Sequence, residues 1–195
     1  ITENEIHAQA GALLSMIANR AMEAKLTGFE FAAGIPGTLG GACVMNAGAY
    51  GGGMKDVLET VTVLTRDGDV KTLTKDELEL GYRTSVIAKK DYIVLSAVIR
   101  LENGKKEEIK AVMDDLKEKR ITKQPLEYPS AGSTFKRPEG YFAGKLIQDA
   151  GLRGFQVGGA QVSEKHCGFV VNKDQATAAD VMKIAMIGVH RELTE

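Results

Sequence analysis

FAAGIPGTLGGACVMNAGAYGGGM, residues 31–54, contains no Asp, Glu, Lys or Arg in a 195-residue chain that is 26% charged. Nine of the 26 positions from 28 to 53 are Gly. An uncharged run of this length must be buried in protein, in lipid or around a ligand. Lipid is excluded, because Gly recurs at nearly every third position, Pro36 and Asn46 interrupt the run, and no basic flank anchors it. A packing core would use larger side chains, whereas Gly is chosen where main chain must come close to something or take positive φ. Two readings stay open: a ligand wrapped by main chain, and a structural glycine hinge. GIPGTLGG lacks the P-loop spacing and its Lys-Ser/Thr pair. It does not match GxGxxG either, and no strand followed by an acidic residue about 20 positions on frames a dinucleotide fold. What remains is a set of backbone N–H groups able to hold a diphosphate without a lysine, which points to a nucleotide-like cofactor.

Working outward, a chain that is 44% hydrophobic can bury one core or two small ones. A net charge of −1 and a pI near 6.4 leave no basic surplus for nucleic acid or a membrane surface. Cys43 and Cys167 lie far apart without metal spacing and read as small buried hydrophobes in a reducing compartment. With no signal peptide or membrane helix in these residues, the expected location is the cytoplasm. His7, His166 and His190 lack metal-ligand spacing, so no catalytic metal is expected. The chain begins with Ile1, and its last helical pattern runs into Glu195 without a Gly, Asn or Pro stop, so both ends read as cut.

Ala10, Leu13, Leu14, Ile17, Ala18 and Ala21 fall at helical spacing and predict an amphipathic helix over about residues 5–24. Residues 57–65 alternate as a strand, Asp67-Gly68 turns, and residues 70–73 return as a hairpin partner. Thr74 with Glu77 predicts a capping box on a short helix. Residues 92–101 are β-rich and close the first unit. Asn103-Gly104-Lys105-Lys106 marks the domain boundary, giving domains 1–103 and 104–195. A helix follows over about residues 106–120, with its charges on a solvated face. Pro125 and Pro129 then force an extended passage into Ser130-Ala131-Gly132-Ser133. A helix over about residues 143–150 stops at Gly151, short strands cover 155–157 and 169–172, and Thr177 caps a last helix.

Taken alone, Arg83 is an ordinary surface arginine unless a substrate anion or a developing negative charge lies beside it. Ser133, between Gly132 and Thr134, is an ordinary turn serine by the same standard. No His or Lys at a recognisable spacing activates it, so proton donation suits it better than covalent attack. Lys123, Lys136, Arg137, Lys165 and His166 scatter cationic groups through the second half, an arrangement suited to a phosphorylated substrate.

GIPGTLGGACVMNAGAYGG, GYRTS, QPLEYPSAGSTFKRP, AGKLIQDAGLRG and GGAQVSEKHCGFVVN, in this order, cover most of residues 5–195. Together they strongly resemble the UDP-N-acetylenolpyruvoylglucosamine reductase family, the MurB flavoenzymes of peptidoglycan synthesis, in the branch lacking an additional tyrosine loop. The resemblance implies an α+β chain: part of a vanillyl-alcohol-oxidase-type FAD-binding domain, then an α+β substrate domain. It implies FAD as cofactor and NADPH as reductant, with hydride passed to the enolpyruvyl group of a UDP-sugar, in a cytoplasmic monomer. Gly34, Ile35, Pro36, Gly37, Thr38, Gly40, Gly41, Asn46, Ala47 and Gly48 match segments that wrap the FAD diphosphate and flavin. Tyr50 falls near the substrate. Arg83 matches the YRxS arginine that steadies the substrate carboxylate and the enolate, and Ser133 matches the AGS serine that protonates the resulting carbanion. Lys123, Arg120, Lys165 and Arg137 match positions that hold the UDP part. The family's first flavin subdomain precedes anything present here, and its LEPEV-type catalytic glutamate would fall after Glu195; neither Glu192 nor Glu195 stands in that context. Two rivals follow: a non-catalytic UDP-sugar-binding fragment, and a related flavin oxidase.

Overall fold

Residues 1–192 are described by a computed structural model, with side chains through residue 187; Glu195 and the side chains of His190 and Glu192 lie outside the described residues. The chain is α+β and divides into two compact units, one of residues 1–118 and one from Lys119 onward. The division falls inside the helix that follows Asn103-Gly104, and Met113 of that helix packs against the first unit's core.

The first unit runs β1 (Glu5–Gln9), α1 (Leu14–Glu23), β2 (Leu26–Thr27), a 3-10 turn (Glu30–Ala32), α2 (Leu39–Met45), β3 (Gly48–Ala49), β4 (Gly52–Gly53) and α3 (Met54–Val57). It continues through β5 (Leu58–Leu64), β6 (Val70–Thr74), α4 (Val86–Lys89), β7 (Ile93–Arg100), β8 (Glu102–Asn103) and α5 (Lys106–Lys123). Its main sheet is antiparallel in the order β1-β7-β5-β6. Alternation builds it: Leu58, Val61 and Val63 of β5 and Val94, Ala97 and Ile99 of β7 turn inward. The β5–β6 hairpin turns where expected, with Gly68 at φ 89° in the left-handed region and the Thr65 amide donating to Asp69 O at 2.8 Å. Leu14, Ile17, Ala18 and Ala21 of α1 and Leu39, Ala42 and Cys43 of α2 join the same buried cluster. Each large side chain so buried contributes about 1.5–3 kcal/mol.

The sequence reading is corrected at residues 5–24. Residues 5–9 form strand β1, paired in register with β7 from Glu5↔Arg100 to Gln9↔Ser96, and the helix begins only at Leu14. Ile6 and Ala10 satisfy a strand's alternation as well as they extend the helical stripe, and Ala8 between them fits the strand alone. The free edge of β7 decides the matter, since pairing there uses backbone groups that would otherwise have no partner. Arg100 reinforces the choice by reaching Glu5 at 2.7 Å and Glu59 at 3.1 Å, linking three strands. Thr74 and Glu77 do join, with the Thr74 amide donating to Glu77 Oε2 at 2.8 Å, but they close hydrogen-bonded turns and not a helix. Glu79 at φ 45° ends that segment at once.

The second unit holds β9 (Ser130–Ser133), α6 (Ala143–Asp149), β10 (Gln156–Val157), β11 (Ala160–Val162), β12 (Phe169–Asn172) and α7 (Ala178–Glu192). Its sheet is antiparallel in the order β10-β11-β12-β9. Ile147, Leu152, Ala160, Val162, Cys167, Val170 and Ile184 form its core. Gly151 at φ 71° stops α6. Thr177 caps α7: its amide donates to Asp180 Oδ2 at 2.9 Å and its hydroxyl accepts from the Asp180 amide at 3.2 Å. Hydrogen bonds donated to it by Thr177, the backbone amide first and then the side chain, hold the Asp180 carboxyl below its usual range. Strand β11 was not anticipated, although Gly158-Gly159 between two short apolar runs is a hairpin signal. A Cβ at Gly159 would stand 1.8 Å from Asp174 O, so no side chain fits there.

Ile99→Ala on β7, at a fully buried position, is expected to cost about 2–5 kcal/mol. Val70→Ala, at a position 64% exposed, should cost less than about 0.5 kcal/mol. Urea unfolding of the two variants checks the contrast.

Candidate functional site

The glycine-rich stretch is tied to the end of β1 by main chain. The Leu14 amide donates to Gly37 O at 3.1 Å, Leu39 to Ala12 O at 2.9 Å and Gly40 to Ala10 O at 2.9 Å. A Cβ on Gly40 would lie 2.9 Å from Ala10 Cβ; on Gly48, 2.8 Å from Gly52 O; on Gly52, 2.8 Å from the Phe31 ring. These three glycines are required by packing of the protein on itself.

Other positions of the stretch behave differently. Gly34, Pro36, Gly37 and Gly41 are exposed and Ile35 and Thr38 half-buried. Gly37 needs its glycine for φ 154°, and open space surrounds its missing Cβ. Gly41 sits within α2, where a Cβ would meet only Thr38 Oγ1 at 4.0 Å. Alanine at such a helical position is more stable than glycine by about 0.8–1 kcal/mol, so nothing in the fold itself calls for Gly41. The amides of Gly37, Thr38 and Gly41 donate to no acceptor among the described residues. The stretch therefore presents an open face of unused N–H groups over which a ligand can approach the main chain closely.

Past α2, Asn46 turns the chain in the left-handed conformation, φ 43° and ψ 57°. Its Nδ2 donates to Gly81 O at 2.8 Å and its Oδ1 accepts from the Lys55 amide at 2.9 Å. Ala47 is half-buried and accepts from the Met54 amide at 2.9 Å. Strands β3 and β4 are joined by Tyr50-Gly51, both at positive φ (54° and 92°), the requirement of the tight hairpin turn, and this leaves Tyr50 exposed at the tip.

Residues 81–85 form the second wall. Gly81 and Thr84 exchange backbone hydrogen bonds at 3.1 and 3.4 Å, putting Tyr82 and Arg83 at the tip of a tight turn. Fully buried Ser85 donates to Val44 O at 2.8 Å and caps α4 by accepting from Ala88 N at 3.3 Å. Arg83, at φ 53°, donates from Nη2 to Gly48 O at 3.3 Å, with its guanidinium 5.5 Å from the Tyr82 ring centre. The structure thus brings Arg83 to the Asn46–Ala47–Gly48 segment. The sequence reading saw these residues separately and gave no role to Ser85, the second of the two hydroxyl residues that follow Arg83.

In the second unit, Ser133 ends β9 opposite Phe169, exposed, and its hydroxyl has no hydrogen-bond partner among the described residues. The next residue fixes its backbone: Thr134 donates to Gly168 O at 2.9 Å and its hydroxyl accepts from Val170 N at 3.2 Å. Arg120 is half-buried and Lys123 exposed, both in the last turn of α5. Lys165 donates to Ile121 O at 2.8 Å and lies 3.8 Å from Glu127. Arg137 donates to Tyr141 O at 3.0 Å and stacks over the Phe142 ring at 3.9 Å. A cavity of about 370 Å³ is lined by Lys165 together with Tyr128, Gln161, Ser163 and Lys173. Lys173 donates to Tyr128 Oη at 2.8 Å, a bond that holds the ammonium above its usual range. Tyr128 and Lys173 were not singled out in the sequence, where each stands alone without a spacing partner.

Both cysteines are free and buried. Burial pushes the Cys43 thiol up to about 12, so it carries no thiolate near neutral pH. Among the described residues no His, Cys, Asp and Glu group is arranged to hold a metal, and no helix is long and apolar enough to cross a membrane.

Comparison with known proteins places this geometry. Residues 1–74 match the FAD binding domain family, and residues 124–190 match the family described as UDP-N-acetylenolpyruvoylglucosamine reductase, C-terminal domain. The UDP-N-acetylenolpyruvoylglucosamine reductase of Agathobacter rectalis is 67% identical over 92% of this chain and 57% of its own length. That of Clostridium perfringens is 60% identical over 93% of this chain and 60% of its own. The crystal structure of UDP-N-acetylenolpyruvylglucosamine reductase (MurB) from Thermus caldophilus superposes with a TM-score of 0.85 at 38% identity, over 94% of this chain and 67% of that one. The chain thus spans about three-fifths of the length of these two curated relatives.

Gly40→Ala should destabilise the protein by about 1–3 kcal/mol through its clash with Ala10. Gly41→Ala should stabilise the ligand-free protein by up to about 1 kcal/mol. Thermal or urea unfolding without added cofactor distinguishes a packing glycine from one kept for a ligand.

Proposed function

The chain belongs to the UDP-N-acetylenolpyruvoylglucosamine reductase family, and from that premise we propose that the protein reduces the enolpyruvyl group of a UDP-N-acetylglucosamine enolpyruvyl ether, giving UDP-N-acetylmuramate for peptidoglycan. FAD is the proposed cofactor and NADPH the proposed reductant. The observation that carries the reading is Gly41, a helical glycine that the fold does not need, whose unused amide stands with those of Gly37 and Thr38 in a segment matched by an FAD-binding family.

The residues present fit such a cofactor. A diphosphate needs several donors at close range, and the amides of Gly37, Thr38 and Gly41 supply them without a cation. Gly34, Ile35, Pro36, Gly40, Ala47 and Gly48 shape the same wall, with Gly40 and Gly48 acting through packing. FAD, when bound, would carry hydride from NADPH to the enolpyruvyl double bond.

When hydride arrives at one carbon of that bond, negative charge spreads onto the substrate carboxylate. A guanidinium already in place lowers the barrier, because it does not have to reorganise as the charge develops. Arg83 suits this role: its turn is fixed at both ends, and one Nη atom rests on Gly48 O. Ser133 would complete the reaction by giving its hydroxyl proton to the other carbon. It is exposed on a rigid strand end, and a reactive enolate carbon can draw a proton from an acid as weak as serine. Lys123, Arg120, Lys165 and Arg137 are assigned to the UDP part, and Tyr50 to the substrate's neighbourhood. Lys165 brings with it the cavity that holds Tyr128 and Lys173. The two free, buried thiols suit a reducing cytoplasm.

In the FAD-loaded protein, Ser133→Ala should leave reduction of the flavin by NADPH within about twofold of the parent. It should slow reoxidation by the enolpyruvyl substrate by about 10² or more. Stopped-flow absorbance of the two half-reactions measures both, and equal effects on the two would refute the assignment.

A further inference from the structure

We infer that Asn46 is a positioning residue for Arg83: its carboxamide holds the 81–85 turn so that the guanidinium stands ready at the substrate carboxylate. This rests on the Arg83 role proposed above. Family resemblance puts Asn46 against the flavin, but the carboxamide is engaged at both ends inside the protein. Nδ2 donates to Gly81 O at 2.8 Å and Oδ1 accepts from Lys55 N at 2.9 Å.

Residue 46 meets three demands at once. It must take left-handed backbone at the end of α2, where asparagine is among the few tolerated residues. It must donate to the Gly81 carbonyl, the first residue of the turn whose Gly81–Thr84 exchange sets the direction of Arg83. It must also accept from the Lys55 amide in the first turn of α3. Glycine would meet the first demand alone, and aspartate the first and third. Asn46 is itself buried, 9% exposed, and without its side chain the half-buried Gly81 carbonyl would keep only the longer 3.4 Å bond from the Thr84 amide. Ser85 holds the far end of the same turn to Val44 O, so Arg83 hangs between two side-chain anchors, one from the C-cap of α2 and one onto a carbonyl within it. Arg83 itself is at φ 53°, a conformation that a non-glycine residue keeps only when its surroundings enforce it. Asn46 is a principal part of that enforcement.

The test uses Asn46→Asp, which keeps the acceptor for Lys55 N and turns the donor towards Gly81 into a repelling oxygen. Asn46→Gly, which removes both bonds without backbone strain, serves as the second variant. In FAD-loaded protein, both should keep FAD affinity within about threefold, measured by fluorescence titration. Both should reduce flavin with NADPH at the parent rate, and reoxidise it with the enolpyruvyl substrate roughly 10–10²-fold more slowly, as expected of a misplaced group. Arg83→Lys should produce a loss of at least that size, and adding Asn46→Asp to Arg83→Lys should cost no more than about threefold further, because the two act as one unit. The inference is overturned if FAD affinity falls tenfold or more with both half-reactions, which would make Asn46 a flavin ligand. It is also overturned if the two substitutions multiply, or if both Asn46 variants match the parent. A separate outcome, Arg83→Lys alone reoxidising at the parent rate, would overturn the proposed role of Arg83 itself.

Discussion

Helix α2 can lie where it does only because residue 40 has no side chain. Its main chain approaches Ala10 closely enough to donate a hydrogen bond at 2.9 Å, and a methyl group would meet the Ala10 Cβ at the same separation. That contact docks α2 at the exit of β1, and much of the first unit follows from it. Leu39, Ala42 and Cys43 face the sheet, the end of the helix arrives beside residues 81–85, and around the helix start the amides of Gly37, Thr38 and Gly41 are left unused among the described residues. One close approach thereby creates both the core and the site.

The glycines of this stretch consequently have two origins that their spacing does not separate. Gly40, Gly48 and Gly52 answer to neighbouring protein atoms, while Gly41 answers to nothing within the fold. A glycine-rich run in sequence mixes these causes, and only the position of each missing Cβ sorts them. The same applies to Asn46, which by composition is one more small polar residue in a loop. In the fold it is a clamp between three separate segments of chain.

Much of the second unit's outline and of the β5–β6 hairpin was legible, because alternation, an Asp-Gly turn and the Gly151 stop are local signals that tertiary structure did not override. Strand β1 was not, because Ile6 and Ala10 fit two periodicities and the neighbouring edge of β7 chooses between them. Strand β10 was expected over 155–157, but its partner β11 is so short that only the Gly158-Gly159 pair signals it. Of the candidate residues, the glycine-rich wall was picked out in sequence by its composition, and the roles of Arg83 and of Ser133 by resemblance. Their supports were not: Ser85 and the two ends of the Asn46 carboxamide act across 41, 35 and 9 positions of chain, beyond the reach of local reading.

The two cysteines fall one to each unit, Cys43 in the first and Cys167 in the second, and both are buried. Each thiol is held above its usual range by that burial, so reaction with an alkylating reagent requires its own surroundings to open. The chain accordingly carries a native reporter in each unit. Pulsed alkylation read by peptide mass would give an opening free energy for the first unit and another for the second, without introducing a single foreign label.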